Sequence, residues 1–233
     1  MTDDACTTPH SIAETGPQGG AERIESELVH AEVGVGPHPQ PWPTDDRLDP
    51  ELLAAGDRRN VVDRYRYWRM EAIVADLAAE RAALTGRELH IAIENWEHDF
   101  NIGSIVRTAN AFNVAGVHII GRRRWNRRGA MVTDRYLQVR HHPEVAGFAA
   151  YADENDLTLI GVDNLPGSVP LETEALPPRC CLVFGSEGPG LSEELVAACV
   201  RLVAITQYGS TRSINAGAAA AIAIYAWSSR HRA

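Results

Sequence analysis

"RCCLVFGSEGPGLSEELVAAC", residues 179–199, decides the fold class. Its first seven residues are an apolar run of strand length, and its last nine carry the apolar spacing of a short helix. Between them Gly188, Pro189 and Gly190 crowd around Glu187 in a turn. Glycines at such a junction let the backbone approach a ligand closely or take a positive φ, and the helix start behind them offers free N–H groups. The same strand-turn-helix rhythm extends both ways. Strands are expected at "LHIAIE" (89–94), "GVHII" (116–120), "LTLIGVD" (157–163) and "RLVAIT" (201–206), with helices at "NIGSIVRTANAFN" (101–113), "EVAGFAAYADEN" (144–155) and "SINAGAAAAIAIYAWSSRHR" (213–232). Apolar runs separated by helices imply an α/β fold with a parallel sheet covered on both faces, spanning residues 87–233.

The chain upstream reads differently. Residues 1–43 mix Gly, Pro, Thr and Glu without an apolar period and end in a proline-rich spacer, so they are expected to be a disordered acidic tail. Seven acids against Arg23 give that segment a charge of −6, most of the −9 of the 233-residue chain. Residues 44–86 are expected to form a helical extension. Asp49 caps, Pro50 takes the first helical position, Val62, Tyr65, Trp68 or Arg69, Ile73 and Leu77 recur at helical spacing, and Gly86 closes the end. The acidic N-terminus and the absence of a long apolar run point to a cytoplasmic protein. Cys6, Cys180, Cys181 and Cys199 show neither CxxC pairing nor zinc-type spacing, which favours buried thiols over a disulfide framework or a metal. All 22 basic residues other than histidine are arginine.

Both common nucleotide signatures, GxGxxG after the first strand and GxxxxGK[ST], are absent. Three other blocks carry chemistry. In "NIGSIVRTANAF" Asn101, Ser104 and Thr108 fall near one helical face, and Arg107 is either a phosphate clamp or a solvated arginine. "GSEGPG" follows a strand and opens a helix, the place for a ligand in α/β sheets. In "ITQYGSTRSINAG" (205–217) Ser213 and Asn215 precede a small-residue helix, as helix caps or as site residues.

Together, "NIGSIVRTANAFNVAGVHIIG", "LVFGSEGPGLSEELV" and "ITQYGSTRSINAGAAAAIAIYAW" resemble the three ordered motifs of the SpoU/TrmH family of RNA ribose 2'-O-methyltransferases, within the SPOUT superfamily. The resemblance spans residues 89–228. It implies a SPOUT fold with a C-terminal deep trefoil knot, an exception to the rule that chains avoid knots. It further implies S-adenosylmethionine as cofactor, held by Gly185, Gly188, Ile205, Gln207 and Ile214, with Asn101, Arg107, Glu187, Ser213 and Asn215 as catalytic positions. Arg107 would contact the target phosphate and the 2'-hydroxyl. A homodimer and an RNA substrate follow from the same resemblance; the "QYGSTRSIN" form favours tRNA, and 23S rRNA is the alternative. A knotted RNA-binding protein without turnover is the reading from another class. The chain departs from the family pattern at Asn113 for glycine, Thr206 for proline and Ile214 for leucine. Asparagine tolerates the left-handed geometry of a glycine, whereas loss of the proline is expected to loosen the third loop.

Between the first and second blocks "GRRRWNRRGAMVTDRYLQVRHH" (121–142) groups Arg122, Arg123, Arg124, Arg127 and Arg128 around Trp125, equipment for RNA or simply a solvated loop. A second cluster, Arg58, Arg59, Arg64, Arg66 and Arg69, lies in the extension, where RNA contact and helix docking are equally open. His141 and His142 are read as hydrogen-bonding or surface residues, not metal ligands.

Overall fold

The computed structural model describes residues 34–96 and 101–232, which divide into two compact units between Trp68 and Arg69. In the first, helix α1 (Pro50–Ala55) begins as its sequence directs: the Asp49 carboxylate accepts from Glu51 N at 2.9 Å and Pro50 fills the first turn. The helical period expected through Val62, Tyr65 and Trp68 is not a helix. Residues 57–68 form a loop with one 3-10 turn at Asp63–Tyr65, and Val62 is exposed. The cause is Asp57. Its fully buried carboxylate accepts from the backbone N–H of Arg59 and Tyr67, each at 3.0 Å, and from the Arg59 guanidinium at 2.9 and 2.7 Å. Burial pushes this carboxyl up, but the bonds outweigh burial and hold it below its ordinary value. Gathering donors from as far as ten residues along the chain bends it around the carboxylate, because a buried charge left unpaired is costly.

The expected tail lies outside the described residues up to position 33. Residues 34–38 depart from that expectation. Val35 exchanges backbone bonds with Asp57 at 2.9 Å in both directions, His38 N donates to Leu53 O at 2.8 Å, and the Tyr67 hydroxyl donates to Gly36 O at 2.6 Å.

The second unit opens with helix α2 (Met70–Ala83) and continues as strand β1 (Glu88–Asn95), helix α3 (Asn101–Ala111), strand β2 (Gly116–Gly121), strand β3 (Val139–His142), helix α4 (Val145–Glu154) and strand β4 (Thr158–Val162). Strands β5 (Val169–Pro170) and β6 (Arg179–Phe184), helix α5 (Glu193–Ala198), strand β7 (Arg201–Ala204) and helix α6 (Ala216–His231) complete it. The strands form one sheet in the order β3-β2-β1-β6-β4-β7-β5, parallel at every pairing. Alternation along β1 feeds two cores: Ile91 and Ile93 join α3 and α6 on one face through Ile102, Ile105, Ile224 and Trp227, and Ala92 joins Phe148 of α4 and Leu195 of α5 on the other. The α/β expectation with both sheet faces covered is met.

Strand β3 was not expected from the sequence, because "VRHH" lacks an apolar run. Its side chains are held laterally instead: His142 Nε2 lies 2.9 Å from His118 Nδ1, and His118 Nε2 lies 3.0 Å from His90 Nδ1 across the three neighbouring strands. His141 Nε2 lies 2.7 Å from Gly121 O, so both histidines of the pair make hydrogen bonds. Asn113 takes the left-handed conformation, φ 46°, as its place after α3 requires. Its side chain does what glycine could not, donating to Leu77 O at 3.1 Å and accepting from Arg81, which ties α2 to the end of α3.

No described helix is long and apolar enough to cross a membrane. Cys180 and Cys181 are buried and free, and burial pushes the Cys180 thiol up to about 12. Such a thiol is inert packing, not a nucleophile.

Candidate functional site

The C-terminal ends of β6, β4 and β7 stand side by side, and the loops that leave them converge on a cavity of about 660 Å³. Crevices at strand C-termini are where open parallel sheets hold ligands. The turn after β6 closes one wall. A Cβ on Gly185 would lie 2.0 Å from the Gly190 carbonyl carbon, so the two backbones approach within a distance that only glycine permits. The turn is fixed by two carboxylates that sequence reasoning did not single out. Asp163, at the end of β4, accepts from Leu191 N at 2.9 Å and from Asn164 N at 2.7 Å. Glu94, fully buried at the end of β1, accepts from Ser192 N and Trp96 Nε1, each at 2.8 Å. An acid closing an expected strand was the available signal in both cases, although nothing in the sequence says which loop each would hold.

The third loop is tied in from two sides. Asn164 Nδ2 donates to Arg212 O at 2.6 Å, which joins the loop after β4 to the loop before α6. The looseness expected from Thr206 in place of proline is not found. Thr206 N donates to Glu172 Oε1 at 3.0 Å and its hydroxyl to Glu172 Oε2 at 3.1 Å, and the first of these bonds needs an N–H that proline lacks. The Glu172 carboxylate is held below its usual range by the N–H of its own residue first, then by the Thr206 bonds.

Gly185, Gly188, Ile205, Gln207, Ile214, Glu187, Ser213 and Asn215 all line the cavity. Asn101 does not, but it joins the second and third blocks. Asn101 Nδ2 donates to the Glu187 carboxylate, Asn215 Nδ2 donates to Asn101 Oδ1 at 2.7 Å, and Asn215 Oδ1 accepts from Gly217 N at 2.9 Å. The chain has one polarity. A carboxylate only accepts and a backbone N–H only donates, so both amides are fixed by the two ends. Asn215 is thus a helix cap and a bridge at once.

Arg107 stands apart, exposed on α3, with no hydrogen-bond or ion-pair partner among the described residues. Arg122, Arg123, Arg124, Arg127 and Arg128 are all exposed. Asn95 presents this loop by donating to Arg122 O at 2.7 Å and to Arg124 O at 2.9 Å. Trp125 is half-buried against the core with the Arg127 guanidinium 5.5 Å from its ring centre, so the aromatic of the cluster serves the loop's own packing.

A crevice at the end of a parallel sheet, walled by the loop after β4 and by the second and third sequence blocks, with Asn101 of the first block bonded to its rim, defines the class. The chain belongs to the SpoU rRNA methylase family, whose pattern matches residues 88–225. It is 31% identical over 170 residues to an uncharacterized tRNA/rRNA methyltransferase of Mycolicibacterium gilvum, covering 70% of this chain and 52% of the relative. It is 23% identical over 141 residues to the tRNA (guanosine(18)-2'-O)-methyltransferase of Escherichia coli, covering 59% of this chain and 62% of that one. The chain therefore spans between half and two thirds of the length of these relatives. In fold it resembles the SpoU methyltransferase AviRb of Streptomyces viridochromogenes, solved with the cofactor AdoMet, with a TM-score of 0.58 at 22% identity over 64% of this chain and 59% of that one.

Proposed function

We propose that this protein transfers a methyl group from S-adenosylmethionine to a ribose 2'-hydroxyl of structured RNA, with tRNA as the substrate. The observation that carries this reading is the hydrogen-bonded chain Glu187–Asn101–Asn215, which draws residues from all three sequence blocks to the rim of one cavity. The tRNA assignment is supported by the Escherichia coli relative and by the third block's "QYGSTRSIN".

The cavity fits such a cofactor. Its volume falls within the range of small-molecule sites, roughly 300–1,000 Å³. The Gln207 Oε1 atom in its wall is buried without a partner among the described residues, an acceptor waiting for a donor such as an amino group. Gly185, Gly188, Ile205, Gln207 and Ile214 would hold the cofactor, and Gly185 is barred from carrying a side chain by the Gly190 backbone. When bound, the sulfonium supplies an electrophilic methyl, so alignment of the hydroxyl is the main demand left to the protein.

Arg107 meets that demand as a donor. A guanidinium keeps its proton and accepts none, so Arg107 holds the target phosphate, orients the hydroxyl and lowers its pKa, and the hydroxyl proton passes to solvent water as the oxygen takes the methyl. Glu187, Asn101, Ser213 and Asn215 shape the rim, and the exposed arginines at 122–124, 127 and 128 follow the RNA backbone. A trefoil knot in the C-terminal half belongs to the same proposal. It is supported by the strand order, with β6 between β1 and β4, and by the bond from Asn164 to Arg212. A homodimer in the cytoplasm completes it, in keeping with the prevalence of two-fold oligomers.

Labelled cofactor incubated with bulk tRNA and with rRNA tests the proposal. Label is expected in tRNA at alkali-resistant linkages, with Arg107→Ala reducing transfer about 10- to 100-fold, the value of a lost charge-assisted bond. Label confined to rRNA would move the substrate to the alternative, and RNA binding without transfer would refute the enzyme.

A further inference from the structure

At the opposite ends of the strands, where β1 and β6 begin, lies a second cavity of about 280 Å³ that shares no residue with the first. Among the described residues its charged lining is Arg81, Arg87, Arg179 and Arg232 against Glu88. Part of this is ordinary helix chemistry. Arg81 sits in the last turn of α2, and Arg87 donates to His231 O, at the end of α6, at 3.0 Å, where positive charge suits the helix dipole.

That account leaves most of the donors over. Four guanidiniums carry about twenty N–H groups. Protein acceptors take few of them: Arg81 donates to Asn113 Oδ1, Arg232 donates to Asn113 O at 2.8 Å, and Arg87 to His231 O. Arg179 Nε lies 3.2 Å from Glu88 Oε2 without the alignment of a hydrogen bond, and Arg232 Nε is buried with no partner among the described residues. Glu88 is also shared with His90, whose Nε2 is 3.0 Å from Oε1. Arg81 and Arg232 are half-buried and repel each other, with Glu80 the other carboxylate that offsets them. Forked donors lining a small hollow match the oxygens of phosphate.

We infer that the hollow walled by Arg81, Arg87, Arg179 and Arg232 binds a phosphate group. Its shape and charge suit either a free phosphate anion or the phosphorylated end of an RNA. Because the two cavities are separate, this site and methyl transfer can each fail without the other.

Calorimetric titration of the full chain with pyrophosphate at low salt is the test. Binding is expected, weakened about ten-fold by Arg87→Gln and further by Arg87→Gln combined with Arg232→Gln. It is expected to tighten in Glu88→Gln, a gain that partial unfolding cannot imitate. A second arm compares an oligoribonucleotide bearing a 5'-phosphate with its 5'-hydroxyl form. Preference for the phosphorylated form, lost in Arg87→Gln, assigns the site to an RNA end, whereas equal binding beside tight pyrophosphate uptake assigns it to a free anion. No uptake at millimolar pyrophosphate, or uptake unchanged in Arg87→Gln and Glu88→Gln alike, overturns the inference.

Discussion

Asn215 has two jobs that two substitutions can separate. Its Oδ1 caps α6 through Gly217 N at 2.9 Å and Ala218 N at 3.3 Å, and its Nδ2 reaches Asn101 Oδ1 at 2.7 Å. Asn215→Ala removes both. Loss of a cap costs about 1 kcal/mol, and loss of one partly solvated amide bond about 0.5 kcal/mol more. For a chain of this size each kcal/mol moves the midpoint by about 2–4 °C, so Tm should fall by roughly 3–6 °C. Asn215→Asp keeps the capping oxygen and adds a negative charge where the helix dipole favours it, worth about 0.3–1 kcal/mol. It also replaces the donor facing Asn101 with an acceptor, and Asn101 cannot turn over to compensate without presenting its own oxygen to Glu187. The aspartate variant should therefore melt within about 2 °C of wild type yet lose methyl transfer as severely as the alanine variant. Thermal unfolding and a single-turnover methyl-transfer assay, run on the same preparations, read the two jobs separately. If Asn215→Asp melts as low as Asn215→Ala, the capping oxygen is not what stabilises the helix; if it keeps full transfer, the bridge between the blocks has no role in the chemistry.

Three further outcomes follow from other parts of the structure. Glu172→Ala should free the third loop and weaken cofactor uptake without lowering Tm by more than about 1 °C, since its bonds to Thr206 are exposed. The Glu172 pKa is depressed, so the tether is complete above the ordinary carboxyl value of 4.5 and is lost as pH falls through the lower folded value; uptake in wild type should decline in that acid range. Burial, and then the charges of His90, His142 and Arg140, push His118 down to about 3 from 6.5. The unfolded chain then takes up a proton the native one refuses, so stability should be full above pH 6.5 and fall towards pH 3 by up to about 1.4 kcal/mol per unit; His118→Gln, able both to donate and to accept, should flatten that slope in denaturant titrations.

The sheet was legible because its strands are buried on both faces and read as unbroken apolar runs, as "RCCLVF" does at β6. The edges escaped notice for the converse reason. Strand β3 is polar and is held by imidazole contacts from His118, and β5 is two residues long. Periodicity misled between Val62 and Trp68, where a single buried carboxylate, Asp57, overrides the helical spacing. At the site, the turn at 185–190 and the capping asparagine carried recognisable residue types. The ties that hold the loops together did not, because Asp163, Glu94 and Glu172 act on backbone N–H groups of residues 28, 98 and 34 positions away. A side chain's main-chain partner at such separation leaves no mark in the local pattern.

Everything assigned to the first cavity requires that it hold S-adenosylmethionine, and calorimetry with that compound alone, without RNA, asks this directly. One molecule per chain should bind, and Gly185→Val should abolish uptake, since even a Cβ at that position would meet the Gly190 carbonyl carbon at 2.0 Å. Absence of heat and of thermal stabilisation with the wild-type protein, or undiminished uptake by a folded Gly185→Val variant, would contradict it.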